Sequence, residues 1–281
     1  AIIYLSRLCR TDFLILAVGC GGPEQRKAKY RTKAQEYMQA GNFPKARVAL
    51  RNVLKIDPKD SEAYFLYAQV EEKEKDWRHA FAHYLQVVEL NPTHEQALVK
   101  LGKFYLQGRL DEKARETADQ LLRLYPGHVS ARAIHGALLA AEGKLTEATA
   151  VGEALVKQFP TEPDAAILLG TLYSLQNAPH RVEAVLKKAV EAHPRDLDLL
   201  NSLAMAYMRV SNQTKAEAVF QNILTIEPQV FDHHLKLALF FDQQRQYEKA
   251  EATLREAVRL EPESEQRHLA LADYLAGRRN G

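Results

Sequence analysis

The chain has 281 residues, 46% of them apolar and 26% charged, with a net charge of +2. This is the ordinary balance of a soluble protein, and it is too near neutral for nucleic acid, which usually calls for a clustered basic face. Both cysteines, Cys9 and Cys20, lie near the N-terminus, so no disulfide framework holds the remainder together.

The chain opens AIIYLSRLCRTDFLILAVGCGGP, with Arg7 and Arg10 ahead of an apolar run from Phe13 to Val18. A basic stretch, an apolar stretch and small residues before a cleavage point describe an export signal. The run is too short to span a bilayer as a helix. Ala17-Val18-Gly19-Cys20 resembles a bacterial lipobox, whose cysteine is lipidated and becomes the first residue of the mature protein. That resemblance implies a lipoprotein signal segment over 1–22 and lipid attachment at Cys20. Asp12 interrupts the apolar stretch and there is no starting Met. The alternative is a frayed segment with an inert free cysteine.

From residue 23 to 264 the chain is periodic. Pro58, Pro92, Pro126, Pro160, Pro194, Pro228 and Pro262 stand thirty-four residues apart without a slip. Proline lacks an N–H and clashes with the preceding turn, so it cannot continue a helix. A fixed period of this length marks a repeat architecture. With each proline at position 32, the units run 27–60, 61–94, 95–128, 129–162, 163–196, 197–230 and 231–264.

Position 8 is always Ala or Gly, position 20 is Ala except at Val182, and position 11 is mostly aromatic. The pattern predicts two antiparallel helices per unit, A and B. Small residues at 8 and 20 let their backbones approach to about 8–10 Å. Large residues at 7, 11, 24 and 28 fill the space around that contact, with Leu54, Leu122, Leu224 and Val258 at position 28. Gly41 and Gly143 break helix A, Pro179 opens a helix B, and Ser61 and Ser264 are predicted to cap the helices that follow.

Leu101-Gly102-x-x-Tyr105, Leu169-Gly170-x-x-Tyr173 and Leu203-Ala204-x-x-Tyr207, with Ala216-x-x-x-Phe220 and Pro228, resemble the tetratricopeptide repeat (TPR). The resemblance covers about residues 27 to 276. It implies an all-α fold: a TPR α-solenoid, a right-handed superhelix of seven helix-turn-helix repeats, closed by a capping helix and tail over 265–281. An alternative is that further repeats follow.

In such arrays the concave face is built from helix A, chiefly positions 2, 5, 6, 9, 12 and 13. The resemblance thus implies a partner-binding groove with a basic early end at Arg31, Gln35, Gln69, Lys100 and Lys103. Its middle is apolar at Ala133, Ile134, Ala137, Ile167, Leu168, Met205 and Met208, and its last part carries Asn201, Arg209, Lys236 and Asp242. Asp164, Asp198 and Asp232 recur at position 2, where they could rim the groove with negative charge; the stronger reading is that they sit in the first helical turn, where carboxylates favour the helix dipole. The subclass that grips C-terminal carboxylates of chaperones needs Lys and Asn at fixed positions of three consecutive units, and no three units here supply them.

Nothing in the repeats reads as catalytic. There is no P-loop, no Gly-x-Ser-x-Gly and no Cys-x-x-Cys. His79 and His83 have a spacing that can hold a metal, but no acid or further ligand pattern accompanies them, and they read as surface histidines. His233 and His234 are neighbours and face differently on a helix. The expectation is a non-enzymatic protein-protein interaction scaffold, with no metal, no cofactor and no nucleic acid. A lipobox followed by TPRs resembles envelope lipoproteins of exopolysaccharide export or outer-membrane assembly, most of all those of PEP-CTERM/exosortase systems. Two alternatives are a recruiting region of a larger enzyme, such as a glycosyltransferase, and a cytoplasmic adaptor.

Overall fold

The structure, a computed structural model, describes residues 22–279. The lipobox-like stretch and Cys20 lie outside the described residues. The described residues form fifteen helices and no strand. They are α1 (Pro23–Gln39), α2 (Phe43–Ile56), α3 (Ser61–Lys73), α4 (Trp77–Leu90), α5 (Glu95–Gln107), α6 (Asp111–Leu124), α7 (Val129–Ala141) and α8 (Leu145–Gln158). There follow α9 (Pro163–Leu175), α10 (Pro179–Ala192), α11 (Leu197–Arg209), α12 (Gln213–Ile226), α13 (Phe231–Gln243), α14 (Tyr247–Leu260) and α15 (Glu265–Arg279). Odd-numbered helices are the predicted helices A and even-numbered ones the helices B. Every helix B ends two residues before its ladder proline, as at Ile56 before Pro58 and Ile226 before Pro228. The chain divides inside α5, between Ala97 and Leu98, into two compact units.

The turn from helix A to helix B is the same in all seven repeats. Position 15 takes a left-handed conformation, at Gly41, Lys75, Arg109, Gly143, Asn177, Ser211 and Arg245, with φ between 55° and 80°. The next N–H reaches back to the carbonyl of position 11, as in Asn42 to Tyr37 at 2.7 Å and Asp76 to Glu71 at 2.8 Å. This six-to-one bond closes a Schellman cap. Only two of the seven residues are glycine, so glycine alone does not mark these turns in the sequence. Helix B then starts on a side-chain cap where chemistry allows: Asn42, Asp76 and Asn212 accept the N–H of Lys45, His79 and Lys215. Pro179 opens α10 as expected. Ser61 does not cap; Asp60 does, accepting the N–H of Ala63 at 2.8 Å, because the helix already begins at Ser61. Ser264 stands directly before α15, and its carbonyl accepts the N–H of His268.

In the first unit the core gathers Ala34, Ala46, Leu50, Val53, Ala63, Leu66 and Val70 between α1, α2 and α3. In the second, clusters centred on Leu155 and Leu168 and on Leu169, Leu200, Phe220 and Phe240 run through α7 to α14. Positions 8 and 20 are buried in every repeat. Position 28 is only partly buried. The deep position is its neighbour 27, with Val53, Val87, Leu121 and Leu155 at 0% exposure, because 20, 24 and 27 share one helix face. Burying each such leucine contributes about 1.5–3 kcal/mol.

Glycine at position 8 serves the next repeat as well. A Cβ on Gly102 would stand 2.6 Å from Ile134 Cδ1, and one on Gly136 the same distance from Leu168 Cδ2. Position 6 of one helix A thus fills the notch left by glycine in the helix A before it.

A second regularity lies outside the expected pattern. In five repeats a cation at position 19 sits over the ring at position 11: Lys45 over Tyr37, Lys113 over Tyr105, Arg181 over Tyr173, Lys215 over Tyr207 and Lys249 over Phe241. Lys215 and Lys249 also pair with Glu183 and Glu217, at position 21 of the preceding repeat. Where position 11 of the following repeat is not aromatic, at Glu71 and Leu139, position 21 is arginine instead: Arg47 pairs with Glu74, and Arg115 with Glu142. In the second repeat Glu71 replaces the ring and is 2% exposed. Such burial is costly for a carboxylate without partners. Glu71 has two, Arg47 Nη1 at 3.4 Å and His83 Nδ1 at 2.6 Å.

Candidate functional site

In the second unit, α5, α7, α9 and α11 line a groove of about 820 Å³. A second stretch of about 650 Å³ continues it along α9 and α11, sharing Ile167, Thr171, Asn201 and Ser202. The floor is α7, which turns Ser130, Ala133, Ala137, Ala140 and Ala141 into the groove. These follow helical spacing, and alanine ends at Cβ, so the floor is low. The walls carry Leu106, Ile167 and Leu175 on one stretch and Met205 and Met208 on the other. Leu175 and Met205 are 58% and 61% exposed, large apolar groups left facing the solvent.

Over this floor Lys103 Nζ of α5 meets Asp164 Oδ1 of α9 at 2.6 Å, past the intervening helix A. Asp198 lines the same groove on the start of α11, and among the described residues no ion pair is recorded for it. Arg109 and Arg209 line the groove from the other ends of their helices A. One edge of the groove is therefore acidic and the other basic. Three of the small polar groups of the walls donate within their own helices. Thr171 Oγ1 donates to Ile167 O and Ser202 Oγ to Asp198 O, both at 2.8 Å, and Asn201 Nδ2 to Leu197 O at 2.6 Å.

Of the residues expected in the groove, Lys103, Ile134, Ile167, Leu168, Asn201, Met205 and Met208 line it. Two need correction as contact residues. Ile134 and Leu168 are 2% and 7% exposed, because they fill the notches at Gly102 and Gly136, and only their flanks reach the surface. Lys100 is half-buried and does not line the groove. Lys236 does not line it either; it pairs with Asp232 one turn away at 2.9 Å. Arg31, Gln35 and Gln69 belong to the first unit, where Gln35 is exposed and the other two half-buried. There Arg31 lies near Asp57, whose carboxyl is held below its usual range chiefly by the Lys27 ammonium at 2.7 Å. Sequence reasoning preferred the helix dipole to a negative groove rim for Asp164 and did not name Leu106, Arg109 or Leu175. Position 2 and the positions around 12 carried a signal for most of them; Arg109 sits in the left-handed turn and carried none.

The histidines are placed by acids, not by one another. His79 Nδ1 lies 2.7 Å from Asp76, and His83, which is half-buried and not a surface residue, turns to Glu71. His233 and His234 are both buried; their Nε2 atoms lie 3.1 Å from Glu227 Oε2 and 2.8 Å from Pro228 O. Among the described residues no three His, Cys, Asp or Glu are grouped to hold a metal ion. No described helix is long and apolar enough to cross a membrane.

Three family models match. One described as "Psidin, N-terminal TPR repeats region" covers residues 104–230. One described as tetratricopeptide repeat covers 31–95 and 73–129, and another of that description covers 234–264. The chain is a tetratricopeptide repeat protein. Solved structures agree on the fold. A tetratricopeptide repeat protein from Parabacteroides merdae is 15% identical with a TM-score of 0.50, over 89% of this chain and 99% of that one. The structure of Pseudomonas aeruginosa pilF is 18% identical with a TM-score of 0.50, over 81% of this chain and 100% of that one. No curated protein sequence matches. Membership of the TPR family makes the protein an interaction scaffold at the level of class.

Proposed function

We propose that this TPR protein holds a segment of a partner protein in the groove of α5, α7, α9 and α11, and that it does so at the cell envelope as a lipoprotein of an export or assembly system. The observation that carries the first half is the alanine floor of α7 beside the exposed Leu175, with the exposed Met205 on the adjoining stretch of α9 and α11. Such a face is unfavourable in water unless something covers it, and methionine suits adaptable contacts. Support for the second half comes from the sequence alone: Arg7 and Arg10, the apolar run, and small residues before Cys20.

Two experiments separate the halves. Tagged protein carrying Leu175→Asp and Met205→Asp loses specific partners from a crosslinked pull-down while keeping its helical content. An unchanged partner list rules the groove out. Full-length protein fractionates with membranes, and Cys20→Ala releases it; equal solubility of the two forms removes the lipoprotein reading.

A further inference from the structure

The groove has a polarity that limits what can lie in it. We propose that its occupant is an amphipathic helix of a partner protein whose basic flank faces Asp164 and Asp198, and that a lysine or arginine of this helix replaces Lys103 at Asp164. This rests on the groove reading above and deepens it.

The backbone of the occupant is the first constraint. An extended segment laid on the floor would bury its own N–H and C=O groups, and buried backbone groups need partners. The hydroxyls of Thr171 and Ser202 and the amide of Asn201 already donate to carbonyls of their own helices. The floor beneath is alanine apart from Ser130. A helix bonds its backbone internally and asks of the groove only an apolar surface, which α7 and Ile167 supply.

Charge is the second constraint. Asp164 and Asp198 stand on the N-terminal edge of the groove, and Arg109 and Arg209 on the opposite edge. A helix lying across the helices A between them is best matched with basic residues along one flank and acidic residues along the other. Lys103, within α5, reaches Asp164. In the free protein it holds the place a partner's cation would take. The pair is 38% and 18% exposed on its two sides, so water screens it and a competing cation displaces it at small cost.

The test selects a phage-displayed random-peptide library on the full chain and on its Leu175→Asp/Met205→Asp variant, then measures synthetic copies of the selected peptides. The expected peptides repeat apolar residues every three or four positions, carry Lys or Arg on one flank, and lose binding when a central proline breaks the helix. Asp164→Asn with Asp198→Asn weakens them about tenfold, and Lys103→Ala tightens them about threefold by freeing Asp164. Circular dichroism checks that each variant stays folded. Selected peptides that are acidic, uncharged or proline-rich, yet lost with Leu175→Asp/Met205→Asp, overturn the amphipathic-helix proposal and leave the groove standing. If no selected peptide depends on Leu175 and Met205, the groove reading fails and this proposal with it.

Discussion

Lys103 and Asp164 lie 61 residues apart and meet at 2.6 Å over the alanine face of α7. They join the first helix A of the groove to the third across the second. Because both ends are partly in water, the bridge contributes little to stability. Lys103→Ala is expected to lower the unfolding free energy by less than about 1 kcal/mol, read by urea titration. A larger loss would show that the pair holds the repeats together and does not merely occupy the groove.

Two leucines on α9 separate core from surface. Leu168 is 7% exposed and Leu175 58%. Leu168→Asp buries a carboxylate beside Gly136 and is expected to cost more than about 3 kcal/mol. Leu175→Asp is expected to cost less than about 0.5 kcal/mol. Thermal melts of the two variants check the contrast; similar midpoints would place Leu168 outside the core.

Gly170 faces Leu186 of its own repeat, where an added Cβ would meet three carbons at 3.2–3.4 Å. Gly170→Leu is expected to overpack that contact and cost about 1–3 kcal/mol. A melting temperature equal to wild type would contradict the helix A–helix B packing at position 8.

The turns offer the opposite sign. Ser211 and Arg245 hold φ of 56° and 59°, where a Cβ is strained and glycine is not. Ser211→Gly and Arg245→Gly are each expected to stabilise by about 1 kcal/mol, and Gly143→Ala to destabilise by a similar amount. Differential scanning calorimetry of the three variants is the measurement.

Acid attacks the ties between repeats. The Glu183 carboxyl is held below its ordinary value of 4.5, first by the hydrogen bond from Lys215 and also by that from Tyr207. Burial, and then the same Glu183, push the Tyr207 phenol up to about 12. A carboxyl with a folded value below its unfolded one stabilises the fold above the unfolded value, and that contribution disappears as pH falls through the folded value. Melting temperature should therefore be level above about pH 5 and fall below pH 4.5. Glu183→Gln should flatten this acid limb; an identical limb would assign it to other carboxylates.

Much of the repeat could be read without coordinates, because its signals are local. The ladder proline marks the end of helix B two residues ahead of it, and small residues at positions 8 and 20 mark the contact between helices. Less legible was the turn at position 15. Its left-handed conformation is held by backbone bonds to position 11, and Lys75, Arg109, Ser211 and Arg245 accept it without any glycine to announce it. Position 28 was taken for 27 for a different reason: both are apolar in most repeats, and only the rotation of helix B on its neighbour decides which one points inward.

Spacing placed Ile167, Asn201, Met205 and Met208 on the helix face that lines the groove, since position within a helix determines direction. It did not separate Ile167 from Leu168, or identify Lys103 as the partner of Asp164. Periodicity within one helix states which way a side chain points, but not what stands opposite. The sequence by itself determined the repeat, the helices, the small contacts between them and the family. The tertiary structure alone decided which side chains of helix A vanish into the notches at Gly102 and Gly136, and which charges meet across α7. Those outcomes depend on how far one repeat is displaced from the next, a distance set by packing at the whole interface and carried by no single motif.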